Sequence, residues 1–146
     1  IIPTKIKIEK LNIEAKVEHV GLDTTGKMDV PKEDDNAAWY DLGYKPGQKG
    51  NAVIAAHFDK VTGEPAIFYK LSELEAGDTI KIYGEDGKEE IFIVKDKELY
   101  ETSAFPVEKV FGKSDKKMLN LITCNGVFDP NNKLYDKRLV VFAEKQ

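Results

Sequence analysis

The sequence predicts an all-β domain, a closed or nearly closed barrel of about eight strands with short helical connections. Three observations predict it. Apolar residues alternate with polar ones in short runs, Gly, Pro and Asn/Asp clusters separate those runs at close spacing, and no helical periodicity outlasts about two turns. Closure is preferred over an open sheet because unpaired edges invite further pairing. At 146 residues the chain reads as one domain, 1–146, long enough to bury a substantial core.

Thr4–Ile8 (TKIKI) alternates and gives a first strand, and Leu11–Val20 a second, looser extended stretch. Gly21–Gly26 is a turn cluster, and Lys27–Val30 a short strand closed by Pro31. Lys32–Asn36 is polar and acidic, a loop or the start of a short helical turn, which Ala37–Tyr40 anchors in the core through Trp39. Gly43–Gly50 is a loop with three glycines and a proline, and Asn51–Phe58 is a strand buried on both faces. After a break at Val61–Pro65, Ala66–Leu74 places Ile67, Phe68, Leu71 and Leu74 at helical spacing, and Gly77-Asp78 ends that piece.

Thr79–Tyr83 and Glu90–Val94 flank Glu85-Asp86-Gly87-Lys88, a hairpin with Asp-Gly at its centre, and the second strand can run on to Tyr100. Thr102–Pro106 breaks the chain, and Val107–Phe111 fits one helical turn before Gly112. Met118–Cys124 is a strand that puts Met118, Asn120, Ile122 and Cys124 on one face and Leu119, Leu121 and Thr123 on the other. Asn125–Lys137 is a long polar loop, and Arg138–Ala143 the closing strand.

The net charge of −4 and pI near 5.3 argue against a nucleic-acid partner. A single cysteine excludes an internal disulfide and a multi-cysteine zinc site, and His19 and His57 have no Cys or His at ligand spacing. The acidic segments Glu33-Asp34-Asp35 and Glu98–Glu101 lack a calcium-loop spacing, so no metal and no cofactor is predicted. The longest purely apolar stretch, Ala52–Ala56, is far too short to span a bilayer, and no signal peptide is visible. The chain begins at Ile1 and reads as an excised domain whose preceding segment is unknown.

Taken alone, a single cysteine is more often a small buried hydrophobe than a nucleophile. Cys124 stands at the last residue of its strand, before the turn dipeptide Asn125-Gly126, where a rigid scaffold can present a thiol to an open space. His57 ends the apolar strand NAVIAAHFD, in the row of Val53 and Ala55; a hydrogen-bonded core or rim histidine is the plainer reading for it. His19 reads as a surface residue. Of the 22 basic residues Arg138 alone is arginine, which points to a need for guanidinium geometry, although an ion pair with Asp136 or Asp129 would also account for it. If the Cys strand is antiparallel to the Arg strand and parallel to the His strand, the three side chains emerge at one end. They then form a thiol acyl-transfer site: nucleophile, proton shuttle and oxyanion partner.

These residues resemble the sortases, the cysteine transpeptidases of the Gram-positive cell surface, over nearly the whole length. The family signature T-L-x-T-C stands here as Asn120-Leu121-Ile122-Thr123-Cys124, with Asn120 in place of the first Thr. The histidine segment stands as Ala56-His57-Phe58-Asp59 and the arginine segment as Lys137-Arg138-Leu139-Val140-Val141. Gly26–Pro31, Trp39-Tyr40, Pro46-Gly47 and Gly50–Ile54 are similar to the groups lettered E and F.

The resemblance implies a sortase-like eight-stranded barrel with His57, Cys124 and Arg138 as the catalytic residues. It implies cleavage of an LPXTG-like sorting signal between Thr and Gly through a thioester on Cys124. The acceptor would be a cell-wall or pilin amine, and the enzyme would act on the outer face of the membrane, tethered only through an N-terminal anchor absent here. Candidate substrate contacts are Asp59, Phe105, Val107, Ile122 and the backbone N–H of Asn125; Phe105 and Val107 fit core packing equally well, and Asp59 a local turn bond. Two other readings stand beside this one: a cysteine peptidase with water as acceptor, and a non-catalytic β-barrel binding module with an inert cysteine.

Overall fold

The computed structural model describes residues 1–60, 62–124, 127–129 and 134–146, with 127–129 and 134–136 described through their backbone. Its strands are β1 (Pro3–Ile8), β2 (Ile13–Val20), β3 (Ala37–Tyr40), β4 (Gly50–Ala56), β5 (Thr79–Gly84), β6 (Glu89–Glu101), β7 (Lys117–Thr123), β8 (Val127–Asp129) and β9 (Leu134–Lys145). They follow the order β6-β5-β1-β2-β3-β4-β7-β9, and β6 pairs back onto β9. The ring is therefore a closed eight-stranded barrel, with the three-residue β8 added along the start of β9.

The expected count of eight is met by a different set of strands. Lys27–Val30 is no strand; it contributes one bridge, Met28 to Leu22. The missing strand is β3, parallel to β2 and antiparallel to β4, so Ala37–Tyr40 belongs to the barrel itself and not only to a turn that it anchors. Trp39 does enter the core, at 3% exposure, and donates from Nε1 to the Tyr44 carbonyl at 3.0 Å. The polar segment before Arg138 is likewise shorter as a loop than expected, because β8 pairs with Leu134–Lys137 of β9.

Ala66–Leu74 is not α-helical. The backbone bonds made within it run from residue i to i−3, as in Tyr69 to Ala66 and Leu71 to Phe68, and Leu71–Glu73 is a 3-10 helix. Phe68, Leu71 and Leu74 stand three apart, the spacing that eclipses on such a helix, and all three are fully buried. The Glu85–Lys88 hairpin forms as expected, with Gly87 at φ +79°. Gly50 opens β4 at φ +130°, and a Cβ there would collide with the Tyr44 ring.

Every ring strand contributes alternate residues to one interior core, among them Ile6, Ile54, Ile82, Phe92, Leu121 and Val141, each fully buried. A side chain of this kind contributes ~1.5–3 kcal/mol on burial. β4, β7 and β9 also bury their opposite face. There Val53, Ala55, Ile122, Cys124, Val140 and Phe142 make a second cluster with Val110 of a short helix, α1 (Val107–Phe111). These three strands are thus apolar on both sides, and the second cluster lies on the outer wall of the barrel.

Candidate active site

The outer cluster is where the chemistry gathers. Cys124 continues the parity of Ile122, His57 that of Val53 and Ala55, and Arg138 that of Val140 and Phe142. β4 runs parallel to β7, with Ala56 opposite Thr123, and β7 runs antiparallel to β9, with Ile122 opposite Val140. Both conditions set by the sequence hold, and the three side chains emerge at one end of one wall. The row that carries His57 faces this outer cluster and not the barrel interior.

Cys124 Sγ lies 3.1 Å from His57 Nδ1. The Cys124 N–H donates to the Ala56 carbonyl at 2.9 Å, so the residue before His57 fixes the backbone of the thiol. On its other side the imidazole donates from Nε2 to the Pro31 carbonyl at 3.3 Å. With the proton on Nε2, Nδ1 offers its lone pair to the thiol; a flipped ring would lose both contacts, which fixes the orientation. Cys124 is buried, at 7% exposure.

Arg138 donates from Nη1 to the Thr123 carbonyl at 3.4 Å. Burial lowers the Arg138 pKa from its ordinary value, and the negative charge available on the Cys124 sulfur opposes that shift. Thr123 is fully buried, and its Oγ1 accepts the Leu139 N–H at 3.2 Å. One threonine therefore ties the end of β7 to both Arg138 and its neighbour. Asp129 and Asp136, the alternative partners of Arg138, have side chains outside the described residues.

A groove of about 630 Å³ opens at the thiol. Its lining comes from the hairpin excursion Gly21–Val30 (Leu22, Met28, Val30), from the segment Thr102–Phe111 (Phe105, Val107, Phe111), and from the wall itself (Tyr40, Ala55, Ile122). Cys124 and Arg138 complete it. Leu22, Val30 and Val107 are 51%, 40% and 60% exposed, an apolar rim that solvent reaches. Phe105, Val107 and Ile122 line the groove, whereas Val110, on the inner side of α1, is buried. Asp59, two residues past His57, is bridged to Pro65 at the base of its loop and is not among the described residues lining the groove. Asn125 lies outside the described residues. His19, as expected, is a surface residue, its Nε2 2.8 Å from the Pro3 carbonyl and its ring edge-on to Trp39.

Sequence reasoning missed the hairpin wall and the Pro31 carbonyl. The exposed Leu22 and Val30 in a turn-rich polar segment were the available signal for the first. A backbone carbonyl leaves none. Among the described residues no group of three or more His, Cys, Asp or Glu is gathered to hold a metal ion, and no helix is long and apolar enough to cross a membrane.

A closed barrel with a thiol and an imidazole in contact on its outer wall, and a guanidinium beside them at one groove, is built as a thiol-dependent acyl-transfer enzyme would be. The chain belongs to the sortase family: the sortase domain profile matches residues 6–146. Solved structures similar to it include sortase A from Corynebacterium diphtheriae in a lid-mutant form, 18% identical with a TM-score of 0.74, covering 100% of this chain and 70% of that one. Sortase C from Clostridium perfringens SM101 is 16% identical with a TM-score of 0.68, again over 100% and 70%. A Clostridium perfringens sortase D5 transpeptidase is 20% identical with a TM-score of 0.69, over 97% and 77%. No curated protein matches the chain. The protein is a sortase-type enzyme of unresolved subclass, from a family whose members act at the cell surface.

Proposed function

We propose that this domain is a cysteine transpeptidase that cleaves an LPXTG-like sorting signal between Thr and Gly and transfers the acyl part to an amine. The observation that carries the reading is the 3.1 Å contact between Cys124 Sγ and His57 Nδ1 at a groove that also holds Arg138. His57 Nδ1 takes the thiol proton, and Sγ attacks the Thr carbonyl carbon. The C–N bond breaks as Nδ1 returns that proton to the leaving glycine amine, and the acyl group remains as a thioester on Cys124. An incoming amine, from a cell-wall precursor or a pilin lysine, attacks the thioester. It gives its proton to Nδ1, and the thiolate leaves.

Arg138 serves the oxyanion. Its guanidinium stays charged at any working pH, and its partial burial makes that charge count for more than in bulk water. The exposed apolar rim of Leu22, Val30 and Val107, with Phe105 and Ile122, suits the Leu-Pro pair of the signal. Residues 1–146 are then the catalytic domain of a parent protein tethered to the outer face of the membrane.

The test is mass spectrometry of the protein with an LPXTG-type peptide and a glycine amine, beside Cys124→Ala, His57→Ala and Arg138→Ala. The expected result is release of the C-terminal fragment, an acyl adduct on Cys124 and transfer to the amine, all lost in the first two variants and reduced in the third by about 100-fold or more. Release with water as the sole acceptor would make it a peptidase. No release, together with a thiol that resists alkylation, would leave a binding module.

A further inference from the structure

Pro31 and Lys32 share one peptide plane, and its two polar atoms face two different side chains. The carbonyl oxygen accepts His57 Nε2–H at 3.3 Å, while the Lys32 N–H donates to Glu18 Oε1 at 3.0 Å. Glu18 sits on β2, opposite Ala38 in the register with β3. Its second oxygen, Oε2, accepts the Glu33 N–H and the Asn36 side-chain amide, both at 3.1 Å. The Asn36 N–H closes the turn onto the Glu33 carbonyl at 3.1 Å. One carboxylate on a barrel strand therefore organises the whole stretch between Pro31 and β3.

From these contacts we infer that Glu18 is a positioning residue for the catalytic imidazole, acting through the Pro31–Lys32 peptide group to hold His57 with Nδ1 toward the thiol. The inference rests on the transpeptidase reading of the site. The connection is Glu18 carboxylate, Lys32 N–H, Pro31 carbonyl, His57 Nε2–H, His57 Nδ1 and Cys124 Sγ. A peptide unit is planar and stiff, so fixing its N–H end fixes the direction of its C=O. An anionic acceptor on the N–H also polarises the carbonyl opposite, which strengthens the bond it receives from the ring. Pro31 is buried and its ring fixes φ, so the plane can turn only through Pro31 ψ and Lys32 φ, and the Lys32 N–H bond to Glu18 restrains that turn. Burial alone would raise the Glu18 pKa, yet the Lys32 and Glu33 N–H groups and Asn36 lower it below the ordinary value, so the carboxylate is charged at neutral pH.

The arrangement does for a histidine what a direct carboxylate partner does elsewhere: it sets the tautomer and supports the ring when it is protonated. Here the carboxylate works at one remove, with a backbone amide between it and the ring.

Glu18→Gln places an amide where two donors converge on Oε2 and removes the charge; Asp35→Ala, on the same turn and paired with Lys60 at 3.4 Å, is the control. The direct readout is the nitrogen NMR of the His57 ring in the intact domain, beside an unfolding curve and peptide kinetics. The expected result for Glu18→Gln is a folded protein whose neutral ring no longer holds its proton on Nε2, with kcat down about tenfold and KM within about twofold. Asp35→Ala should keep the parent ring state and kinetics. If Glu18→Gln does not fold, Lys32→Pro, which deletes the donated N–H and leaves the carboxylate, takes its place. A folded variant with the parent tautomer and parent kcat overturns the inference, even where its stability has fallen. If the parent itself turns over no peptide, the transpeptidase reading fails, and the ring nitrogens still decide the role of Glu18.

Discussion

Asn120 stands where the family signature has threonine, and its removal has a calculable cost. Its side chain is fully buried and donates from Nδ2 to Asn51 Oδ1 at 3.0 Å and to the Val110 carbonyl at 2.9 Å. Asn51 in turn donates from Nδ2 to the Gly112 carbonyl at 2.9 Å. Val110 and Gly112 lie at the C-terminal end of α1, where the last helical carbonyls have no partner within the helix. Two asparagines on the barrel wall therefore supply the acceptors' missing donors and hold α1 over the outer cluster.

Asn120→Ala leaves two buried acceptors unsatisfied, each costing ~1–3 kcal/mol. Asn120 Oδ1 is itself buried with no partner, and deleting it relieves a penalty of ~1 kcal/mol. The net expectation is a loss of about 3 kcal/mol in urea unfolding. Asn120→Thr keeps one O–H donor and should lose about half of that. Because the two asparagines share a bond, Asn51→Ala combined with Asn120→Ala should cost about 1 kcal/mol less than the sum of the singles. A loss under ~0.5 kcal/mol for Asn120→Ala, or strict additivity of the pair, would refute the reasoning.

Thr123→Val preserves shape but removes the oxygen that accepts the Leu139 N–H, and should destabilise by ~1–2 kcal/mol in denaturant unfolding while slowing peptide cleavage through the neighbouring Arg138. The Asp78 carboxyl accepts from Lys10 Nζ at 2.8 Å and the Glu75 N–H at 2.7 Å, and these partners lower its pKa from the ordinary 3.8. A depressed folded pKa contributes stability above the unfolded value that is lost as pH falls through the folded one. The stability gap between parent and Asp78→Asn should accordingly be largest near pH 7 and close on acidification below pH 4, read by urea unfolding at each pH. A gap that grows in acid would reverse the assignment.

Period-two alternation carried most of what the sequence revealed. It put Asn120, Ile122 and Cys124 on one face, and the structure adds that this face is the outer wall, where the rows of His57 and Arg138 also lie. β4 was recognisable because it is buried on both faces, which leaves the unbroken apolar run Ala52–Ala56. β3 was not: Ala37-Ala38-Trp39-Tyr40 is short, its two alanines mark neither face, and it follows a polar turn that looked like the organising element. The start of β9 hid in the polar run Leu134–Lys137, where pairing with β8 and β6 outweighs composition. Phe68, Leu71 and Leu74 gave the right buried face and the wrong helix, since three-residue spacing fits both periods over so short a length. The contact from His57 to the Pro31 carbonyl could not have been read from residue types at all, because any residue supplies a carbonyl.

The two apolar clusters of this domain also divide its evolutionary burdens. The interior cluster draws on every ring strand, so substitutions there threaten the whole fold. The outer cluster draws on three strands and α1, and the groove is finished by two appended pieces, Gly21–Val30 and Thr102–Phe111. The thiol and the imidazole stand one residue past the ends of β7 and β4, and the guanidinium stands on β9, so the ring and not these pieces sets their backbone positions. No described residue that lines the groove belongs to the interior cluster, so a change of groove side chain leaves the packing inside the ring untouched.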